Sequence, residues 1–270
     1  MSAALARLRA FLAASPQVAL VEVREAKGST PREAGAWMLV SPEAILGTIG
    51  GGQLEFMAID RAREMIAAGG SATGLIDVPL GPEIGQCCGG RVLVDLALVD
   101  DELRAAIPLR IEAEEALHPS VFVFGGGHVG HALAAALSLL PLAVTVVETR
   151  ADQIGELPEG VSARLTAVPE EVVRAAPAGS ALLVLTHDHA LDFLIVAEGL
   201  RRGDAAYVGM IGSKTKRATF ASWYVREAGG DGAALARLVC PIGGAEVKDK
   251  RPAVIAAMAA AEVMRALSVS

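Results

Sequence analysis

One stretch near the middle of the chain limits its possible folds more than any other. The apolar run Val121-Phe122-Val123-Phe124 leads straight into Gly125-Gly126-Gly127-His128-Val129-Gly130. An Ala- and Leu-rich helical segment follows, and a second apolar run ends in Glu148. Strand, glycine turn, helix, strand and acidic residue in this order form the unit with which parallel sheets bind dinucleotides. Gly125 permits the tight turn, Gly127 lets the backbone approach a pyrophosphate, and Gly130 lets helix pack on strand. Amides at the helix start then meet the phosphates, with the helix dipole behind them. A glycine turn needed for packing alone is the competing reading.

The pattern around this unit divides the chain. From residue 120 onward strands and helices alternate. Strands are expected at 121–124, 143–147, 181–185 and 205–209, with a short one near 237–240. Helices are expected near 129–139, 169–176, 190–202, 214–228 and 252–267. Apolar strands separated by helices imply a parallel sheet covered on both faces. The first hundred residues read differently. A strand over 18–25, short strands near 37–40 and 44–48, and strands at 75–78 and 91–98 surround one helix. That helix begins after Gly50-Gly51-Gly52, carries Leu54, Met57, Ala58, Arg61 and Met65 one turn apart, and stops at Gly69-Gly70. The expectation is an α/β protein: an N-terminal α+β domain over 1–100, a linker over 101–119, and a Rossmann-like doubly wound parallel-sheet domain over 120–270. Leu103, Ile107 and Ile111 give part of the linker a helical period.

Bulk properties exclude several classes. A length of 270 residues suffices for two ordinary domains with real cores. No segment reaches the roughly 20 uninterrupted apolar residues of a membrane span. Leu5, Leu8, Phe11 and Leu12 fall at helical spacing, which favours an amphipathic helix over a signal peptide. Three cysteines, two of them adjacent, make no disulfide framework, so a cytoplasmic location is expected. A net charge of −7 argues against a nucleic-acid surface, and any anionic ligand must be held locally.

Several residues stand out as candidates for a site. Glu148 has the position of a ribose-binding acid, or it is a surface carboxylate paired with Arg150. Arg150 itself is placed to meet a 2′-phosphate, so the choice between NAD and NADP stays open. His128 lies in the first turn of its helix and either touches a ligand or lines the turn. Thr186-His187-Asp188-His189 follows the 181–185 strand at the edge where open sheets bind ligands. With Asp192 this segment has the residue types of a metal cluster, but polar lining of the crevice is the preferred reading. Gly212, Ser213 and Lys214, with Lys216 beyond, leave the next strand at the same edge and suit a phosphate; Ser213 also suits a helix N-cap.

In the first half, Gly28-Ser29-Thr30-Pro31-Arg32 offers amides, hydroxyls and a guanidinium to an anion. Gly47-Thr48-Ile49-Gly50-Gly51-Gly52 approaches a helix start and offers a second phosphate position. Gly85-Gln86-Cys87-Cys88-Gly89-Gly90 places two adjacent thiols in a turn. A vicinal pair lacks the spacing of a zinc site, so the turn is either a tight bend or a reactive thiol.

Taken in order and spacing, these motifs resemble the XdhC/CoxI family of accessory proteins for molybdenum hydroxylases. The resemblance rests on 28–32, 35–40, Gly47 to Glu55, Cys88-Gly89-Gly90, Gly125 to Gly130, Thr186 to His189, Gly209 to Lys214 and Pro241-Ile242-Gly243. It implies a molybdenum cofactor chaperone without turnover of its own. Such a protein protects the molybdopterin while a cysteine desulfurase supplies the terminal sulfido ligand, then inserts it into apo xanthine dehydrogenase. Cofactor donor proteins and a second copy of the chain, as a homodimer, are the other implied partners. The resemblance makes Cys88 the leading candidate for contact with molybdenum or its sulfur; Cys87 is an additional thiol beside it, and either of the two can be the active sulfur. Arg32, Gly50, Gly51, Gly52 and Glu55 join Cys88 as cofactor-binding candidates; the cofactor is placed in the Rossmann crevice, against the Cys88 loop or between the two halves, and a cleft bounded by both halves is the preferred reading. Glu148 departs from the aspartate expected after the second strand. The competing functions are an NAD(P)-dependent oxidoreductase, with His187 or His128 as proton donor, and an NAD(P)-sensing regulatory module.

Overall fold

A computed structural model of the chain describes residues 2–69, 73–81, 89–244 and 246–268. The chain forms two compact units, Met1–Ala113 and Glu114–Ser270.

The first unit is built on a five-stranded antiparallel sheet. Its strands are β1 (Ala19–Lys27), β2 (Trp37–Val40), β3 (Ile45–Gly47), β4 (Thr73–Pro79) and β5 (Arg91–Leu98), in the order β3-β2-β1-β5-β4. Alternation along β1 decides which face is which: Ala19, Val21 and Val23 are buried, while Leu20 and Glu22 are only partly so. Helix α2 (Gly52–Ala68) lays Leu54, Ala58, Ala62 and Met65 on the buried face, against Val21, Met38, Val94 and Leu96. Leu54 alone, fully buried, contributes about 2 kcal/mol of transfer free energy. Helices α1 (Ala3–Ala14) and α3 (Asp101–Ala116) form a second cluster, in which Leu5, Leu8 and Leu12 meet Ile107, Ile111 and Leu39. The Arg104 guanidinium of α3 donates to the carbonyls of Leu12, Ser15 and Pro16, satisfying acceptors at the end of α1.

The stretch expected as a linker is therefore mostly helix. Its two isoleucines, four residues apart, give α3 a buried stripe that a solvated linker would not have. The division between the units falls within the last turn of this helix.

The second unit contains six strands, β6 (Ser120–Phe124), β7 (Ala143–Glu148), β8 (Ser162–Leu165), β9 (Ala181–Val184), β10 (Tyr207–Met210) and β11 (Leu238–Val239). All pairs are parallel and the order is β11-β10-β9-β6-β7-β8. Helix α4 (His128–Leu137) packs with α8 (Pro252–Ser268) on one face, through Leu133, Leu137, Ala256, Ala259 and Val263. Helices α5 (Pro169–Ala175), α6 (His189–Arg202) and α7 (Lys214–Arg226) cover the other, where Phe124, Leu182 and Val208 meet Val173, Ile195 and Phe220. Strand β8 had no counterpart in the sequence pattern. All four of its residues are exposed at the sheet edge, so it carries no apolar run to betray it.

Candidate functional site

The strand order locates the crevice of the second unit. From β6 the chain moves outward to β7 and β8, then returns to place β9 on the other side of β6. Loops leaving β6 and β9 diverge at this point, where open α/β sheets bind their ligands. Gly125 takes a φ of +118°, open only to glycine, and its backbone lies against Leu185 and Thr186. A Cβ at Gly130 would be driven into the Gly125 carbonyl, and one at Gly126 into that of Gln153. Gly127 differs: no atom lies within 4 Å of its Cβ position, so the backbone is bare on the side a ligand would approach.

Glu148 closes the floor of the crevice and is only 5% exposed. Its Oε1 accepts from the amides of Thr149 (2.7 Å) and Arg150 (3.1 Å) and from the Thr149 hydroxyl (3.2 Å). Its Oε2 accepts from the Gly126 amide at 2.8 Å. Burial alone would raise this carboxyl; the amides of Gly126, Thr149 and Arg150 outweigh it and hold the group below the usual carboxylate range. Arg150 brings its Nε to 3.9 Å from the same carboxylate, the pairing the sequence suggested, although Glu148 is buried and not a surface group. His131 Nε2 lies 3.4 Å from the Gln153 carbonyl, tying α4 to the turn after β7.

The neighbouring loops are braced from below. Asp192, wholly buried, accepts from the Thr186 amide (2.8 Å) and hydroxyl (2.7 Å) with Oδ1, and from the Lys216 ammonium with Oδ2. This ion pair fixes the loops after β9 and β10 together. Asp188 and Ser213 act as N-caps of α6 and α7, accepting from the amides of Ala190 and Lys216. Among the described residues no group of three or more His, Cys, Asp or Glu is placed to hold a metal. The metal reading of 187–192 falls away because Asp192 is turned inward to Lys216. His128, His187, His189 and Lys214 are exposed at this edge, and Gly212 packs against the Lys216 stem. After β11, Glu262 accepts from both the Tyr207 hydroxyl and the Gly243 amide at 2.8 Å, anchoring the last loop of the edge.

In the first unit the glycine-rich loops meet. The Cβ position of Gly50 lies 2.6 Å from Pro31 Cγ and 3.4 Å from Arg32 Cγ. That of Gly90 lies 2.7 Å from the Lys27 carbonyl and 2.9 Å from the Thr30 methyl. The 28–32 turn is thus sandwiched between the 47–52 loop and the Gly89-Gly90 segment. Arg32 is exposed and makes no ion pair among the described residues. Cys87 and Cys88 lie outside the described residues; Cys88 is bonded directly to Gly89.

Glu55 plays a part that the sequence did not announce. Its Oε2 accepts from the Ile49 amide (3.0 Å), the Gly51 amide (3.2 Å) and the Thr48 hydroxyl. Gly50, Gly51 and Gly52 take φ values of +129°, +76° and +66°, which aim these amides inward. An internal carboxylate therefore sits on amides that were expected to receive a phosphate. The anion-binding capacity left in this cluster is that of Arg32 and the 28–31 turn. The Ile49 and Gly51 amides, which donate to Glu55, are closed to a phosphate.

Comparison with known proteins agrees with this architecture. Residues 121–263 match the family described as the XdhC Rossmann domain, and residues 11–78 match the XdhC and CoxI family. The chain belongs to the XdhC family. It is 25% identical to the Escherichia coli (strain K12) protein described as uncharacterized protein YqeB, over 92% of this chain and 43% of that one. The chain thus spans less than half the length of that curated relative. The crystal structure of a xanthine dehydrogenase from Bacillus halodurans superposes with a TM-score of 0.79 at 17% identity, covering 100% of this chain and 96% of the other. At that identity the likeness is one of fold. Among the described residues no helix is long and apolar enough to cross a membrane.

Proposed function

We propose that this XdhC-family protein carries the molybdenum cofactor as cargo, protects it during sulfuration and delivers it to apo xanthine dehydrogenase. The observation that carries the reading is the convergence in the first unit. The Gly50 backbone closes on Pro31 and Arg32 and the Gly90 backbone on 27–30, so the turn that carries Arg32 packs between the 47–52 loop and the Gly89-Gly90 segment. A guanidinium grips a phosphate through two parallel hydrogen bonds, and a thiolate is a soft ligand suited to molybdenum or its sulfur. Glu55 keeps the 48–51 loop closed, so Arg32 has a firm support. Family membership supports a role in xanthine dehydrogenase maturation; the proposal adds a cysteine desulfurase and cofactor donor proteins as the other partners and a cytoplasmic setting. In this account the protein turns nothing over; it binds, shields and releases.

Arg32→Ala tests the reading. Retention of oxidisable pterin by the purified protein is expected to fall about tenfold, matching the ~1.5 kcal/mol scale of a charged hydrogen bond, with the melting temperature unchanged. Equal retention would remove Arg32 from the site. The alternative, an NAD(P)-dependent oxidoreductase, draws on the Gly125–Gly130 turn with Glu148, and requires hydride transfer to a small carbonyl or pterin.

A further inference from the structure

We propose that the outer edge of the first unit's sheet is a self-association surface, at which β4 pairs antiparallel with β4 of a second copy about Leu75. The inference goes beyond the maturation role and rests on the first unit alone.

Strand β4 ends its sheet, with no further strand beside it among the described residues. The other three sheet edges are short: β3 has three residues, β8 four and β11 two, whereas β4 has seven. A long unpaired edge is a template for another strand, and chains ordinarily blunt it with lysine, proline or a covering element. From Thr73 to Val78 there is no proline and no basic residue. The ladder decides which backbone groups are unpaired. Leu80 donates to the Gly90 carbonyl at 2.8 Å and accepts from the Gly89 amide at 2.8 Å, so its polar groups face β5. By the alternation of an antiparallel ladder, those of Val78, Ile76 and Gly74 face β5 too, and those of Thr73, Leu75 and Asp77 face outward. Pro79 agrees with this phase, since its missing N–H falls on the outward side.

The side chains of the same three residues suit a copy of themselves. Leu75 is 56% exposed. The cluster beneath α1 and α3 takes in Leu20, Trp37, Leu39 and Leu46 from β1, β2 and β3, and no residue of β4. The charges around Leu75 are already matched: Asp77 with Arg91 (2.6 Å), Asp95 with Arg24 (3.5 Å) and Glu25 with Lys27 (2.7 Å). Two chains of net charge −7 repel one another in general, but here each offers a locally neutral face. Two-fold pairing centred on Leu75 sets that residue against Leu75 of the second copy, and the two exchange both backbone hydrogen bonds. Thr73 then stands opposite Asp77 of the second copy, hydroxyl to carboxylate, and each Asp77 oxygen still has a lone pair beyond its bond from Arg91. The next register would set Leu75 against a carboxylate and call on the N–H that Pro79 lacks.

The test uses the whole protein over a range of concentrations. Sedimentation equilibrium is expected to show a dimer at micromolar concentration for the wild type and a monomer for Leu75→Arg, in which like charges would stand directly opposite each other. Their circular dichroism spectra should coincide, because the Leu75 side chain lies on an exposed face. Leu75→Pro removes an outward N–H and no bond to β5, and should also give a monomer. Deuterium exchange read by mass spectrometry locates the contact without a mutation. The 73–79 peptide of the wild type should exchange more slowly in the dimer than after dilution to monomer, with the 45–47 edge unchanged. A wild type that stays monomeric at millimolar concentration, as expected if the edge receives an extended segment of another protein instead, overturns the proposal. So does a dimer that survives both substitutions, or one whose 73–79 peptide exchanges as fast as the monomer's. Pterin retention by the same wild-type protein reports on the maturation reading separately, so either can fail alone.

Discussion

Two glycine-rich turns in this chain meet an internal glutamate, and they use it in opposite ways. In the first unit Glu55 lies across the 48–51 loop and takes two of its amides and a hydroxyl. That loop is closed on itself and serves as support for the Arg32 turn packed on Gly50. In the second unit Glu148 takes a single amide from the turn, that of Gly126, and leaves Gly127 and the start of α4 bare. The same chemical device closes one loop and furnishes the other. A run of glycines is therefore not in itself an anion site; what decides is where the nearest carboxylate goes.

The contrast can be broken most forcefully at the support beneath the second crevice. Asp192→Ala would strand the Lys216 ammonium, which is only 10% exposed, and is expected to cost about 3–5 kcal/mol in denaturant unfolding. The solvent-exposed Arg91–Asp77 pair of the first unit is the control: Arg91→Ala should leave the unfolding midpoint nearly unchanged. Equal losses would mean that the crevice is not braced from within.

Next in size come the glycines. Gly130→Ala forces a methyl into the Gly125 carbonyl, and Gly90→Ala drives one into the 27–30 backbone; each should destabilise by about 2–3 kcal/mol. Gly127→Ala, with nothing nearby and a φ of −72°, should change stability by less than about 0.5 kcal/mol. A large loss at Gly127 would mean that the turn is packed shut.

Smaller again is the charge on Glu148. Its folded carboxyl lies below its unfolded value, so its contribution is present above the unfolded value and is lost as pH falls through the folded one. Wild type should exceed Glu148→Gln by about 2 kcal/mol at pH 7, with the gap closing in acid. A gap independent of pH would assign the effect to shape instead of charge.

Much of this was readable in the residues. The strand and helix alternation after residue 120 placed nearly every element of the second unit, because buried parallel strands such as Ala181–Val184 are uninterrupted apolar runs. Strand β8 escaped because it is polar and lies at an edge. The helix of 101–116 was half visible through Ile107 and Ile111, but its burial against α1 depends on partners far away in sequence. The glycine turns were legible as turns, and their chemistry was not. Glu55 stands only four residues beyond Gly51, yet nothing in its spacing tells whether a carboxylate caps its own loop or meets a ligand. Lys216 gave no sign of being buried, since the lysine two positions earlier, Lys214, is exposed in the same motif.

The role as a carrier is tested most directly by what the protein holds when purified from cells that make the cofactor. Molybdenum measured by mass spectrometry and pterin by fluorescence after oxidation should be found together on the wild type and should drop together in Cys88→Ser, with the melting temperature preserved. Wild-type protein devoid of both, or a Cys88→Ser variant that retains both and still activates apo xanthine dehydrogenase, would contradict the account.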